Sequence, residues 1–236
     1  MKEPIIILSI PKAGTHLMMK LIPLITKTPL EWIDPSLIFS ENFQPQAHLK
    51  NGHIYIQHLF SPFDSLLEQK NSCTKIIMVR DLRDVFISQW NHLKSCESWT
   101  WVWDTDFIHN FTQYPLEGAL PMLISEKHYG VSYFAKNALK WMEDPDVFIC
   151  RFEALVGPQG GGNFLLQIQT IHALAKHLHC PISMKRAKYI AQELFGGTAS
   201  FHKGQIGAWK NDFSPKNLET FNAILGPVQR ALGYDD

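Results

Sequence analysis

Lysine and arginine set beside small, flexible residues are how a chain holds polyanions, and three such places stand far apart in this sequence. The first is Pro11-Lys12-Ala13-Gly14-Thr15-His16-Leu17. An apolar run from Ile5 to Ile10, short enough to be a buried strand, leads into it. A helical pattern with Leu17, Met18, Leu21 and Ile22 on one face leads out. Such a junction is an anion site, because the first N–H groups of a helix have no intrahelical partner and the helix dipole is positive there. Lys12 adds a mobile cation, and Gly14 lets the backbone approach a ligand closely. The order is not that of the G-x-x-x-x-G-K-[ST] loop, since here the lysine precedes the glycine.

The second place is Arg80-Asp81-Leu82-Arg83-Asp84, which follows the apolar run Lys75 to Val79 and opens an amphipathic helix carrying Ser88 about two turns on. In parallel sheets ligands bind outside the carboxyl ends of the strands. Two anion-competent turns after two strands therefore suggest a ligand with two separate anionic groups. The charges alone also fit a solvated salt-bridge cluster, and the pattern leaves both readings open. The third place runs from Phe201-His202-Lys203-Gly204 through Gly207 to Trp209 and Phe213. A Lys-Gly pair followed by glycine and tryptophan reads as a loop that folds over something and is pinned by an aromatic anchor.

Positioning these turns calls for alternating strands and helices. Strands are expected near Ile5–Ile10, His53–Gln57, Lys75–Val79 and Val147–Cys150. Helices are expected near Thr15–Thr26, Asp84–His92, Tyr129–Trp141, Phe164–His179 and Met184–Leu194. The alternation predicts an α/β fold, a three-layer sandwich with a central parallel sheet covered on both faces, built as one domain over residues 1–236. With 45% hydrophobic residues in a chain of 236, a full core can be buried. Gly157 to Gly162 is too glycine-rich for a helix and reads as a loop.

Composition narrows the class. Zero formal net charge gives no support for nucleic acid as a partner. Cys73, Cys96, Cys150 and Cys180 show neither paired nor metal-ligand spacing, which points to reduced thiols in the cytoplasm. The N-terminal apolar run is too short for a signal peptide or a membrane span, so no membrane partner is expected.

Taken together and in order, the three charged places resemble the PAPS-dependent sulfotransferases of the soluble, cytosolic type. The family's phosphosulfate loop reads P-K-[SA]-G-T-[TH], matched by Pro11 to His16. Its 3′-phosphate motif, R-[ND]-x-[RK]-D-x-x-x-S, is matched by Arg80, Asp81, Arg83, Asp84 and Ser88. Its C-terminal loop, [RH]-K-G-x-x-G-x-W-[KR]-x-x-F, is matched from His202 to Phe213. The resemblance implies the P-loop-like sulfotransferase fold and a nucleotide co-substrate, PAPS, that leaves as PAP. Lys12, Gly14, Thr15 and His16 would hold the 5′-phosphosulfate, and Ala13 and Leu17 belong to the same nucleotide-binding stretch. Arg80, Ser88, Lys203 and Gly204 would hold the 3′-phosphate, with His202 at a further contact and Phe201 beside them in the cofactor site. By the same resemblance His58 falls in the slot of the family's general base, and no metal is required.

Chemistry supports two of these roles independently. A hydroxyl must lose its proton as it attacks sulfur, and a histidine with a pKa near neutrality can take it. His58 follows a strand in which Ile54 and Ile56 alternate, at the edge of a cleft, whereas His53 begins that strand at the far end. Charge gathers on the leaving phosphate oxygen, and Lys12 is the cation beside it. Both residues are therefore the expected catalytic groups. A strand-end histidine bonded only to backbone is the plainer reading of His58.

Departures from the family pattern are specific. Ile56 stands where relatives carry a lysine two residues before the histidine. Leu17 replaces the adenine-stacking tryptophan, leaving Phe195 and Phe201 as the nearest apolar walls. His202 stands where many relatives have arginine.

The acceptor is expected to be a small molecule, aromatic or apolar, sulfonated at a hydroxyl or, alternatively, an amine. Trp90, Trp99, Trp101 and Trp103 either line its pocket or pack a core beneath a loop, and Phe39, Tyr114 and Phe134 are further wall residues. Most of His172, His177, His179 and Cys180 lies along one helix without a matching cluster, so no metal site is expected from them. From Lys210 to Glu219 the chain resembles a dimerisation motif with Ser214-Pro215 at its centre. Ser-Pro reads more simply as a helix N-cap and first turn, which favours a monomer over a weak homodimer. Beside the sulfotransferase reading stand an ATP-dependent phosphotransferase and a catalytically weak PAP-binding module, the latter prompted by Ile56.

Overall fold

The computed structural model describes residues 3–38, 43–68, 73–95, 113–126, 130–197 and 204–235. Five strands form one all-parallel sheet: β1 (Ile5–Ser9), β2 (Leu30–Trp32), β3 (Ile54–His58), β4 (Thr74–Val79) and β5 (Val147–Arg151), in the order β2-β3-β1-β4-β5. Every residue of β1 and β4 is buried. That is why both read as continuous apolar runs rather than alternating ones: helices cover the sheet on both faces.

One helical layer contains α1 (Thr15–Thr26), α5 (Phe164–His177) and α6 (Met184–Leu194). The other contains α2 (Leu82–Ser95), α3 (Leu116–Ser125), α4 (Val131–Met142) and α7 (Pro215–Ala231). The sequence expectation of a single three-layer α/β unit with a parallel sheet is met. Short helical turns at Phe152–Leu155, Pro158–Gly160 and Ala208–Asn211 join these elements near the carboxyl edge of the sheet.

Chain order sets where a crevice can form. After β1 the chain builds β2 and β3 on one side, then crosses to β4 on the other. The C-terminal ends of β1 and β4 are therefore the switch point at which ligands bind in open parallel sheets. Lys12 to Thr15 follow β1, Arg80 follows β4, and His58 ends β3.

Ser214 caps α7, its side chain accepting from the Asn217 N–H, with Pro215 at the first helical position. The capping reading of Ser-Pro is the one realised. Ser214 Oγ also donates to Glu117 Oε1 at 2.7 Å and Asn217 Nδ2 to Glu117 Oε2 at 3.0 Å, tying α7 to α3.

Candidate active site

The turn after β1 is built around two left-handed residues, Lys12 (φ 65°) and Gly14 (φ 117°). A lysine in that region is strained by roughly 1–3 kcal/mol, a cost that clusters at ligand-binding turns. At Gly14 a side chain has no room, since a Cβ would come within 2.5 Å of Met78 Cε and 3.0 Å of a Phe152 ring carbon. Ala13 is buried, and its N–H closes the turn on the Ile10 carbonyl at 3.0 Å. Gly14 starts α1 without a side-chain cap, so the helix N-terminus offers backbone N–H groups to an anion.

His58 meets this turn through the sheet. Ile5, Ile7 and Ser9 of β1 stand opposite Ile54, Ile56 and His58 of β3, so an apolar ladder on one face ends in a polar pair at the crevice lip. Ser9 Oγ lies 3.2 Å from His58 Nδ1 and 2.7 Å from Thr15 Oγ1. Aromatic rings enclose the imidazole: Trp32 at 5.7 Å, Phe134 at 6.0 Å and Phe60 at 6.5 Å between centroids. Burial pushes its pKa down to about 3; a hydrogen bond to the Ser9 backbone opposes this, and Lys12 and His16 add to it. Ile56 is wholly buried in the ladder against Ile7, so that position brings no cation to the crevice.

Two more imidazoles share this field. His16, on the first turn of α1, is held below its usual pKa by burial and by Lys12. His92, on α2, is pushed down to about 4 by burial, then by Lys12 and His16. Sequence reading used His92 only as a helix boundary. The signal was there: Arg80, Asp84, Ser88 and His92 recur every four residues, which places the helical members along one stripe of α2. That stripe runs from the Arg80 turn to His92, which feels the Lys12 and His16 field.

At the β4 end, Arg80 is buried and its guanidinium lies over the Phe152 ring at 4.1 Å. Its Nη2 donates to the Gln205 carbonyl at 2.8 Å and lies 3.6 Å from Asp84 Oδ2, while its buried Nε makes no hydrogen bond. Asp84 in turn accepts from the Gly207 N–H at 2.8 Å and the Trp209 N–H at 3.0 Å. The C-terminal loop is thereby drawn onto the arginine motif. Arg83 has a different task, gripping Asp81 with Nε at 3.0 Å and Nη2 at 2.8 Å and stacking on Trp209 at 3.9 Å. The glycine-rich turn also serves this corner. A Cβ at Gly160 would come within 2.5 Å of the Gly204 carbonyl, and the Ile206 N–H donates to the Gly160 carbonyl at 2.9 Å.

The remaining expected residues fall into place unequally. Ser88 is half-buried on α2, two turns past Arg80. Leu17 is half-buried against the core. Lys20, one turn on along α1, donates to the Gly196 carbonyl at 3.0 Å, which brings the Phe195–Gly196 corner to that helix. Gly204 borders Arg80 through Gln205. Phe201, His202 and Lys203 lie outside the described residues, as do Phe39, Trp99, Trp101 and Trp103. Trp90 is core, Tyr114 is exposed, and Phe134 both packs the core and faces His58. His53 lies at the opposite end of β3, paired with Glu31. His177 bonds the Lys75 carbonyl, and His179 faces Glu3. Among the described residues no set of three His, Cys, Asp or Glu side chains comes together as a metal site, and no helix is long and apolar enough to cross a membrane.

This architecture is the sulfotransferase fold. The chain superposes on mouse sulfotransferase SULT7A1 complexed with PAP with a TM-score of 0.64 and 18% identity, over 98% of this chain and 88% of that one. Retinol dehydratase, in a complex with androsterone and the inactive cofactor PAP, matches with a TM-score of 0.57 and 16% identity, over 99% of this chain and 81% of that one. No protein-family model matches the chain, nor does any curated protein sequence.

Proposed function

We propose that this protein moves a sulfonate group from PAPS to a hydroxyl of a small-molecule acceptor and releases PAP. One observation carries the reading: a lysine-bearing turn, an arginine-bearing turn and a half-buried imidazole meet along one edge of the sheet, on Lys12–Thr15, Arg80 and His58. Lys12, Gly14, Thr15 and His16, with the uncapped start of α1, would hold the phosphosulfate. Arg80, whose Nε makes no hydrogen bond, would hold the 3′-phosphate with Ser88, His202, Lys203 and Gly204. Phe195 and Phe201, in place of a tryptophan at Leu17, would flank the adenine.

In the transfer, a bond forms between the acceptor oxygen and sulfur as the bond from sulfur to the bridging phosphate oxygen breaks. The acceptor proton passes to His58 Nε2. With its pKa near 3, His58 is neutral at physiological pH but only weakly basic in the unliganded protein. A bound polyanion then favours the imidazolium once it forms. Lys12 and the α1 N-terminus supply positive charge where the leaving oxygen gains negative charge, so a metal has no required part. Trp32, Phe60 and Phe134 around the base favour a flat aromatic or apolar acceptor.

A second reading rests on buried Ile56: with one family cation missing, the protein binds PAP without turnover. Titration calorimetry with PAP and with ADP, which lacks a 3′-phosphate, is the first test. Charge-assisted hydrogen bonds are worth about 1.5–3 kcal/mol each, so PAP should bind at least about tenfold tighter than ADP. Equal affinities, or binding of neither, would move the ATP-dependent phosphotransferase reading ahead. PAP binding with no transfer from PAPS to any hydroxyl or amine in an acceptor screen would favour the binding module.

A further inference from the structure

We propose that Ser9 is a positioning residue that links the base to the donor loop in an oriented hydrogen-bonded relay, His58 Nδ1–H to Ser9 Oγ to Thr15 Oγ1. The inference rests on the sulfotransferase reading for its chemistry, but the relay itself is a matter of geometry. Ser9 is wholly buried at the last position of β1, where its neighbours on the same face are Ile7 and Ile5. A hydroxyl in that place needs partners. Its partners are one residue of each half-site: Thr15 Oγ1 at 2.7 Å and His58 Nδ1 at 3.2 Å.

The direction of the relay follows from donor and acceptor capacity. The imidazole also hydrogen-bonds the Ser9 backbone, and that contact raises its pKa, as donation of a ring N–H to a carbonyl does. With Nδ1 turned towards Ser9, the relay requires the proton of the neutral ring on Nδ1 and the lone pair on Nε2. Ser9 Oγ then accepts from His58 and gives its own proton to Thr15 Oγ1. The Thr15 hydroxyl is left to donate onward, at the N-terminus of α1 where an anion would sit. Trp32, Phe60 and Phe134 pack around the ring and oppose the flip that would exchange its two nitrogens.

No proton travels along this chain during transfer. The acceptor proton stays on Nε2, which makes Nδ1–H a stronger donor, polarises Ser9, and strengthens donation by Thr15 as the leaving oxygen gains charge. Ser9 thus couples proton removal at one end to leaving-group stabilisation at the other, an economy suited to a site lacking the lysine that Ile56 displaces.

The test combines nitrogen NMR of the His58 ring in the wild-type protein with kinetics of Ser9→Ala, Thr15→Val and the double variant. The probe acceptor is 2-naphthol with PAPS as donor, and PAP affinity is measured alongside. The Nδ1–H tautomer is expected in the free protein, and a dominant Nε2–H tautomer overturns the relay. Ser9→Ala should lower kcat about tenfold, the size of one hydrogen bond near 1.4 kcal/mol, with PAP affinity held within about twofold. The double variant should be no slower than Thr15→Val alone. Unchanged kcat in Ser9→Ala, additive effects in the double variant, or a loss of PAP affinity matching the loss of kcat would each overturn it. Failure of the wild-type protein to bind PAP would instead sink the sulfotransferase reading, while the ring tautomer would still decide the contact between Ser9 and His58.

Discussion

At the β4 end of the crevice each arginine has an acidic neighbour: Arg80 faces Asp84, Arg83 grips Asp81, and Glu153 accepts from the Asp81 N–H at 3.0 Å. At the β1–β3 end, Lys12, His16, His58 and His92 press on one another, and among the described residues no carboxylate contributes to the shifts of the three imidazoles. The two ends also respond oppositely to burial. Asp84 and Glu153 are pushed up, mainly by desolvation, whereas the histidines are pushed down. One end is a charge-compensated cradle. The other is a basin of Lys12 and three imidazoles that burial holds neutral, where a polyanion would meet the lysine charge. Affinity should therefore reside in the first and turnover in the second.

That division is broken most directly at the reacting end. His58→Ala should lower kcat by about 10²–10⁴, the usual range for a lost general base, and leave PAP affinity nearly unchanged. Lys12→Ala should lower kcat by about 10²–10³ and weaken PAP as well, since the ammonium serves both ground state and leaving oxygen. Single-turnover kinetics beside PAP titrations separate the two. PAP affinity lost in His58→Ala with transfer intact would overturn the assignment of the base.

At the compensated end the informative change is Arg80→Lys. Removing the guanidinium outright would strand Asp84 as a buried charge without its partner, and the fold would suffer with the site. Lysine keeps the charge but loses the planar set of donors. PAP should bind roughly tenfold more weakly by calorimetry, in line with one charge-assisted hydrogen bond, and ADP unchanged. An equal loss for both nucleotides would mean that Arg80 does not read the 3′-phosphate.

Sequence reading recovered what is local and missed what the sheet assembles. Thr15–Thr26 and Met184–Leu194 match α1 and α6 to the residue, because each carries a clean apolar stripe bounded by a turn or cap. The second charged turn was read in place, although α2 begins at Leu82 and runs to Ser95 rather than Asp84 to His92. Leu30–Trp32 was passed over because three residues hold no periodicity. Leu116–Ser125 carries Pro121 within it, which sequence rules count against a helix, and Pro215–Ala231 carries Pro227. In the site, the charged turns were legible because each is continuous in the chain. Trp32, Phe60 and Ser9 reach His58 only through strand register and packing, which no local pattern encodes.

A smaller change tests whether the cradle is assembled by Asp84. Asp84→Asn retains one carbonyl oxygen for two backbone donors, Gly207 and Trp209, and puts an amide N–H against the other. Leaving a buried donor unsatisfied costs about 1–3 kcal/mol. The expected result is a lower Tm and faster protease cleavage within residues 204–213, with PAP restoring protection as the proposed 3′-phosphate site requires. Wild-type cleavage rates would mean that the loop is held by other contacts.

The finest comparison between the two ends is by pH. His58 and His92 have folded-state pKa values of about 3 and about 4, below the ordinary value of 6.5. Between those limits the unfolded chain binds more protons than the folded one, so these groups contribute stability fully above pH 6.5 and lose it as pH falls towards 4. Buried Asp84 and Glu153, shifted upwards, contribute in the opposite sense, losing their share as pH rises through their folded values. Tm measured from pH 7.5 to 5 should fall, and His92→Gln should flatten the slope. A polyanion in the basin reverses the bias by favouring imidazolium, so PAP binding at pH 5.5 should take up protons. Calorimetry in two buffers of different ionisation enthalpy counts them, and less than one proton per PAP is expected. Zero uptake, with tight binding, would mean that the nucleotide's charge is read at the compensated end alone and that the imidazoles answer only to the acceptor.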